Sequence, residues 1–129
     1  MTSQQLQSEM DRLQEVAVAL EARTEDLNGL IEQLAYRLDE AGVSVTAWID
    51  SGVMPGWKFG YAKVGDEWTL AARKSRGGPL PLTNAPRKLR LAAMGRIGEL
   101  IRILADKSQK FLADVEQAAK ITERSIEEV

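Results

Sequence analysis

The sequence predicts an α+β fold in which two long antiparallel amphipathic helices flank a small three-stranded antiparallel β-meander. Three observations predict it. Leucines recur every seven residues near the N-terminus, the central segment alternates apolar and polar residues, and a second apolar repeat with helical spacing fills the C-terminal third. We expect residues 1–129 to form a single domain, because this length is short for two ordinary domains.

The first helix is predicted over residues 2–40. Thr2 and Gln5 have capping-box spacing at its start, and Gly42 follows its end, where many helices need a residue that tolerates positive φ. Asn28 and Gly29 are poor helix formers, but the apolar repeat passes through them without a shift, so we expect a continuous helix. Two rows alternate in steps of four and three residues, as in a coiled-coil seam: Leu6, Leu13, Leu20, Leu27 and Leu34, and Met10, Ala17, Thr24, Ile31 and Leu38.

Alternation with a period of two predicts strands over about 43–50, 57–64 and 67–74. Gly65-Asp66 suits a tight turn between the last two of these strands. Five of the seven aromatic residues lie within or beside the predicted sheet: Trp48, Trp57, Phe59, Tyr61 and Trp68.

The second helix is predicted over residues 86–127, with Thr83 and Asn84 as candidate caps and Pro86 in the first turn. Its apolar stripe is wider than a two-stranded coiled coil needs, because a third row runs beside the seam. Stripes of this width suit helices with two neighbours, so we expect a homodimer that forms a helical bundle. The alternative is a monomer whose sheet folds back over its helices. The predicted interface residues are Leu6, Leu13, Leu20, Leu27, Leu34, Ile97, Leu104 and Phe111.

Charge is distributed unevenly along the chain. Residues 1–42 hold nine acidic and three basic side chains, whereas residues 73–102 hold eight basic ones and one acidic one. If the two helices pair antiparallel within the chain, Arg87, Lys88 and Arg90 approach Asp39 and Glu40, and the two groups offset each other's unfavourable helix-dipole interactions. The alternative is that the basic residues bind an anion or an acidic partner. That candidate site comprises Arg73, Lys74, Arg76, Arg87, Lys88 and Arg90.

The composition disfavours several classes of function. The chain has no cysteine and no histidine, so we expect no thiolate site, no cofactor, no metal and no enzymatic activity. Its net charge of −2 argues against bulk electrostatic binding of nucleic acid, and no apolar run is long enough to cross a membrane, so we expect a cytoplasmic protein. We expect a non-enzymatic interaction or assembly module, adaptor or chaperone-like. The alternative is a nucleic-acid-binding accessory protein that uses the basic 73–90 segment and an aromatic sheet.

Overall fold

In the computed structural model, which describes residues 1–128, the chain is an α+β protein with three helices and a four-stranded antiparallel sheet. The elements in chain order are α1 (Ser3–Glu40), β1 (Ala47–Asp50), β2 (Trp57–Val64), β3 (Glu67–Lys74), β4 (Leu80–Pro81), a 3₁₀ turn (Leu82–Asn84), α2 (Arg87–Gly95) and α3 (Ile97–Glu127).

The first helix confirms its sequence prediction closely. The Thr2 side chain accepts a hydrogen bond from the backbone N–H of Gln5, and the Gln5 side chain accepts one from the backbone N–H of Thr2, which completes the capping box. The helix runs unbroken through Asn28 and Gly29, and Gly42 follows it with a φ of 79°. α1 is therefore 38 residues long, far longer than the sheet against which it packs.

The sheet has the strand order β1-β2-β3-β4, with each strand antiparallel to the next. β2 and β3 match their predicted bounds and are joined at Gly65, whose φ is 62°. Two details of the prediction were wrong. β1 begins only at Ala47, and Leu80–Pro81 adds a fourth strand opposite Ala71 and Ala72. A two-residue strand that includes proline leaves no alternation in the sequence by which it could be recognised.

All three helices pack on one face of the sheet. α1 contacts β3, α2 contacts β2, and α3 contacts β1. Phe59, Tyr61 and Leu70 from the sheet meet Ile31 and Leu100 from the helices in a continuous apolar core, in which Ile31 is only 2% exposed. We call residues 27–104, which contain this core, the head.

The predicted helix over 86–127 is two helices, because the chain breaks at Arg96, where φ is −119° and ψ is 18°. The break allows α2 to lie on β2 while α3 lies on β1. Thr83 and Asn84 do not cap α2. They lie in the 3₁₀ turn, and Pro86 occupies the cap position without a side-chain hydrogen bond.

The predicted antiparallel pairing of two long helices within the chain is not seen in the described residues. α2 lies between them in the head, where Arg90 Nη1 donates a hydrogen bond of 2.7 Å to Asn28 Oδ1 of α1. The two long helices run in the same direction over the sheet. α3 starts at Asp50, to which Arg96 donates, and passes Thr46, to which Lys107 donates. The last turns of α1 lie beside Glu67 and Trp68, at the same end of the sheet as Thr46.

Candidate interaction surface

The N-terminal part of α1 projects beyond the head as a lone helix. We call residues 3–26 the N-terminal arm; every residue in it is exposed except Thr24, which is half-buried. Its seam is apolar but uncovered, and Leu13 is 61% exposed. The large exposed members of this seam are Leu6, Met10, Leu13 and Leu20, and Val16 lies beside it.

The C-terminal part of α3 projects in the same way. We call residues 105–128 the C-terminal arm; Ser108 is half-buried and the other side chains are exposed. Phe111 is 58% exposed although it is the largest apolar side chain on the arm. The other large apolar side chains exposed here are Leu112, Val115, Ile121 and Ile126.

Each exposed stripe continues one that is buried in the head. In α1 the same repeat supplies Leu27, Ile31 and Leu34, which lie in or against the core. In α3 the row that contains exposed Phe111 begins at Ile97 and Leu104, of which Leu104 is 3% exposed. In each of the two long helices, the same apolar face therefore covers the sheet along the head and is exposed along the arm.

This continuity divides the predicted interface residues into two groups. Leu6, Leu13, Leu20 and Phe111 are exposed on the arms. Leu104 is buried in the head, and Leu27, Leu34 and Ile97 are partly buried against its core. The prediction placed all eight in one interface because a seven-residue repeat does not reveal which part of it the sheet covers.

The basic residues do not pair with the acidic end of α1. Arg87 and Lys88 are exposed, Arg90 contacts Asn28, and none of the three forms an ion pair with Asp39 or Glu40 in the part of the chain that the structure describes. The expected neutralisation was therefore wrong, since α2 turns its first residues away from the last turn of α1.

Residues at the end of β3 and just after it make contacts with β1 and with the turn before β2. The guanidinium carbon of Arg73 lies 4.8 Å from the centroid of the Trp48 ring, a cation–π contact across β2. Ser75 donates hydrogen bonds from its backbone N–H and its hydroxyl to the carbonyl oxygen of Gly56. Of the six predicted anion-binding residues, Lys74, Arg76, Arg87 and Lys88 are exposed, whereas Arg73 contacts Trp48 and Arg90 contacts Asn28.

The aromatic residues of the sheet divide between its two faces. Phe59 and Tyr61 are buried under the helices, and Trp57 and Trp68 pack against the same core. The Trp68 ring stacks on Tyr61 with centroids 5.5 Å apart. Of these aromatic residues, only Trp48, which pairs with Gly60 of β2, lies on the face away from the helices. The described sheet therefore presents no row of exposed aromatic rings on which the bases of a single-stranded nucleic acid could stack.

Two cations that sequence reasoning missed protect the outer edge of β1. Arg96 Nη1 donates to the carbonyl oxygen of Asp50 at 2.8 Å, and Lys107 Nζ donates to that of Thr46 at 2.8 Å. Exposed sheet edges can pair with other chains, and side chains that occupy their carbonyls oppose this pairing. We therefore place the interaction surface on the arms and not on this edge.

Two side chains of the head have shifted pKa values. Burial, with a smaller effect of the Asp39 carboxylate, raises the pKa of Tyr61 to about 12, and its hydroxyl donates to the carbonyl oxygen of Val43 at 2.9 Å. A side-chain hydrogen bond from Arg96 lowers the pKa of Glu99. Both shifts accompany contacts that hold elements of the head together.

A second apolar surface lies on the head. Leu30, Leu34, Tyr36 and Met94 line an open hollow of about 680 Å³ between α1 and α2. Its polar lining of Gln33, Arg37 and Glu40 carries both signs of charge. The hollow is much shorter than either arm.

In residues 1–128 no three acidic side chains lie close enough together to hold a metal ion, and no helix is long and apolar enough to cross a membrane. Comparison of the chain with models of protein families, with curated proteins and with solved structures finds no match.

Proposed function

We propose that the chain is a non-enzymatic assembly module that forms a homodimer by packing its two arms against those of a second copy. The observation that carries the proposal is the continuation of two core-forming apolar stripes onto arms that have no covering layer. The head would then remain accessible beside the paired arms, as suits an adaptor or a chaperone-like protein.

The size of the uncovered stripes supports this proposal. Each arm is about 35 Å long at roughly 1.5 Å per residue, and a stripe about 10 Å wide covers roughly 350 Å² of it. Each stripe is therefore comparable with the largest apolar patch of a typical monomer, roughly 300–600 Å², and the chain exposes two of them. Four such stripes offer about 1,400 Å², within the roughly 1,200–2,000 Å² of a stable interface.

The stability of the arms gives independent support. Isolated helices shorter than about 12–15 residues are marginal in water, and most helical stability in proteins comes from packing of an apolar face. Each arm has such a face, and the chain itself leaves it uncovered. A partner helix would supply the missing packing.

Acidic proteins are the most suitable further partners of the head. Eleven basic and seven acidic side chains lie in residues 27–104, and Arg87, Lys88 and Arg76 are exposed. Nucleic acid is the second candidate for the same charges. A mobility-shift titration separates the two, because phosphate binding weakens steeply with added salt.

Light scattering on the whole chain at micromolar concentration tests the dimer. We expect about twice the monomer mass of 14.3 kDa. Leu13→Asp should lower the mass to that of the monomer, because a buried unpaired charge costs several kcal/mol. Ser8→Asp is the matched control on the same arm, outside the two apolar rows, and should keep the dimer. A monomeric wild-type chain at high concentration would overturn the proposal.

A further inference from the structure

We infer that the N-terminal arms of two copies pair with each other, side by side and antiparallel, with the middle of one arm level with the middle of the other. This inference rests on the proposed function and narrows it, because it assigns the dimer contact to one arm of each copy. It follows from where the apolar face of α1 is already covered and from the charges beside that face.

The apolar face of α1 changes its surroundings at the start of the head. Along the arm the face is exposed, whereas Leu27, Ile31 and Leu34 pack in or against the core of their own chain. A partner helix can therefore cover the arm but cannot continue along this face into the head. Two parallel arms would enter their heads at the same level, so each sheet would lie in the way of the other helix. In an antiparallel pair, the start of one helix arrives where the other head begins.

The length of the arm determines the register of such a pair. α1 begins at Ser3, behind the capping box of Thr2 and Gln5. When the two arms overlap fully, Ser3 of one copy lies level with Leu27 of the other. This register also brings the two rows of one seam against the two rows of the other, as in an antiparallel coiled coil. The layers, each formed twice by symmetry, are Leu6 with Thr24, Met10 with Leu20, and Leu13 with Ala17.

The charges beside the seam favour the same arrangement. Glu9, Val16 and Arg23 recur every seven residues along one flank of the seam. The antiparallel pair brings Glu9 of each copy beside Arg23 of the other, with the two Val16 side chains between these contacts. In a parallel pair the opposite flank would offer Gln14 to Glu9 and Asn28 to Arg23, and neither of these partners carries a charge. Charge complementarity of this kind selects the orientation, while the apolar rows supply the contact area.

The ion pairs that these side chains form within one chain leave them available to the other. Glu9 lies 3.5 Å from Arg12, and Arg23 lies 3.2 Å from Asp26, each across one turn of the exposed helix. Exposed ion pairs of this kind are weak. Glu9 and Arg23 can therefore turn towards the partner chain at little cost.

The acidity of the arm does not oppose this pairing. The arm has six acidic and two basic side chains, but most of its carboxylates lie at positions of the repeat away from the seam. Glu21 lies on the second flank, where the antiparallel register sets it beside the uncharged Gln7 of the other copy. The carboxylates on the outer side of the arm are Asp11, Glu15, Glu25 and Asp26.

The C-terminal arms take no part in this contact, because α3 leaves the head at the other end of the sheet. They lie at the two ends of the dimer, where a further copy can cover them.

Cysteine cross-linking tests the direction and register of the pair, because the chain has no cysteine of its own. Leu6→Cys and Thr24→Cys are co-expressed as two chains with different tags and treated with a short bismaleimide. The two thiols share one layer of the antiparallel seam, so a covalent dimer that contains both tags should form. Met10→Cys with Leu20→Cys is a second pair in the same register. The control is Leu6→Cys alone, whose two thiols lie about 27 Å apart at roughly 1.5 Å per residue, and it should give at least tenfold less covalent dimer.

The outcomes distinguish this inference from the proposed function. A wild-type dimer by light scattering, with efficient cross-linking of the mixed pairs only, would support both. A wild-type dimer in which Leu6→Cys alone cross-links as well as the mixed pairs would show parallel arms, and one in which no variant cross-links would place the contact elsewhere. Either result would overturn the inference and leave self-association intact. A wild-type monomer would overturn both.

Discussion

Arg96 Nη1 donates a hydrogen bond of 2.8 Å to the carbonyl oxygen of Asp50, and this contact ties the corner between α2 and α3 to the end of β1. The same guanidinium forms two hydrogen bonds to Glu99, at 3.0 and 3.2 Å, and lies 5.5 Å from the centroid of the Phe59 ring. Arg96 thus attaches the start of α3 to the end of β1, and Leu100, Leu104 and Lys107 hold the rest of α3 against the head.

Arg96→Ala should destabilise the head by about 2 kcal/mol, because it removes a charge-assisted fork and a hydrogen bond to the edge of the sheet. Urea unfolding followed by tryptophan fluorescence measures the change. Arg87→Ala is the control, since this exposed side chain has no partner in the described residues, and it should change stability by about 0.5 kcal/mol or less. Equal effects of the two variants would show that the corner contact is dispensable.

Gly60→Ala should destabilise the sheet, because a Cβ at this position would clash severely with the carbonyl oxygen of Ala47 and the strands would have to move apart. Overpacking of this kind typically costs about 1–3 kcal/mol. Gly29→Ala provides a control of opposite sign, because a Cβ there meets nothing within 4 Å and alanine favours a helix by roughly 0.5–1 kcal/mol. Thermal unfolding of both variants at one protein concentration checks the prediction.

Stability should fall as the pH rises from 10 to 12. The pKa of Tyr61 is raised to about 12 in the folded protein, so the native state retains a proton that the unfolded chain, with a pKa near 10.0, releases. The contribution is complete below pH 10 and is lost towards pH 12, with a total of roughly 2–3 kcal/mol. Urea unfolding at several pH values measures it. Tyr61→Phe should remove this part of the pH dependence and Tyr36→Phe should leave it; the same slope in both variants would contradict the assignment.

The long N-terminal helix and the β2–β3 hairpin could be predicted because short-range signals determine them. The capping box at Thr2 and Gln5 and the turn at Gly65 each act over a few residues. The break at Arg96 was missed because the apolar rows continue across it. Its cause is tertiary, since α2 and α3 pack on different strands and Arg96 bonds to Asp50, 46 positions away.

The candidate site could be predicted only in part. Leu13 and Leu34 belong to one row of the repeat, yet Leu13 is exposed and Leu34 packs against the core. Nothing local distinguishes them, because the difference lies in how far the sheet extends beneath α1. The predicted contact between the basic residues and the acidic end of α1 was wrong for a similar reason. It required α1 and the second long helix to be neighbours, whereas α2 lies between them.

The most direct test of self-association through the arms is amide hydrogen exchange of the whole chain, followed by mass spectrometry at a low and a high protein concentration. Peptides from residues 5–20 and 110–126 should exchange more slowly at the high concentration, because association covers their apolar faces and stabilises the helices. Peptides from the core of the head should exchange at the same slow rate in both samples. Rapid exchange of both arms at every concentration would contradict the account.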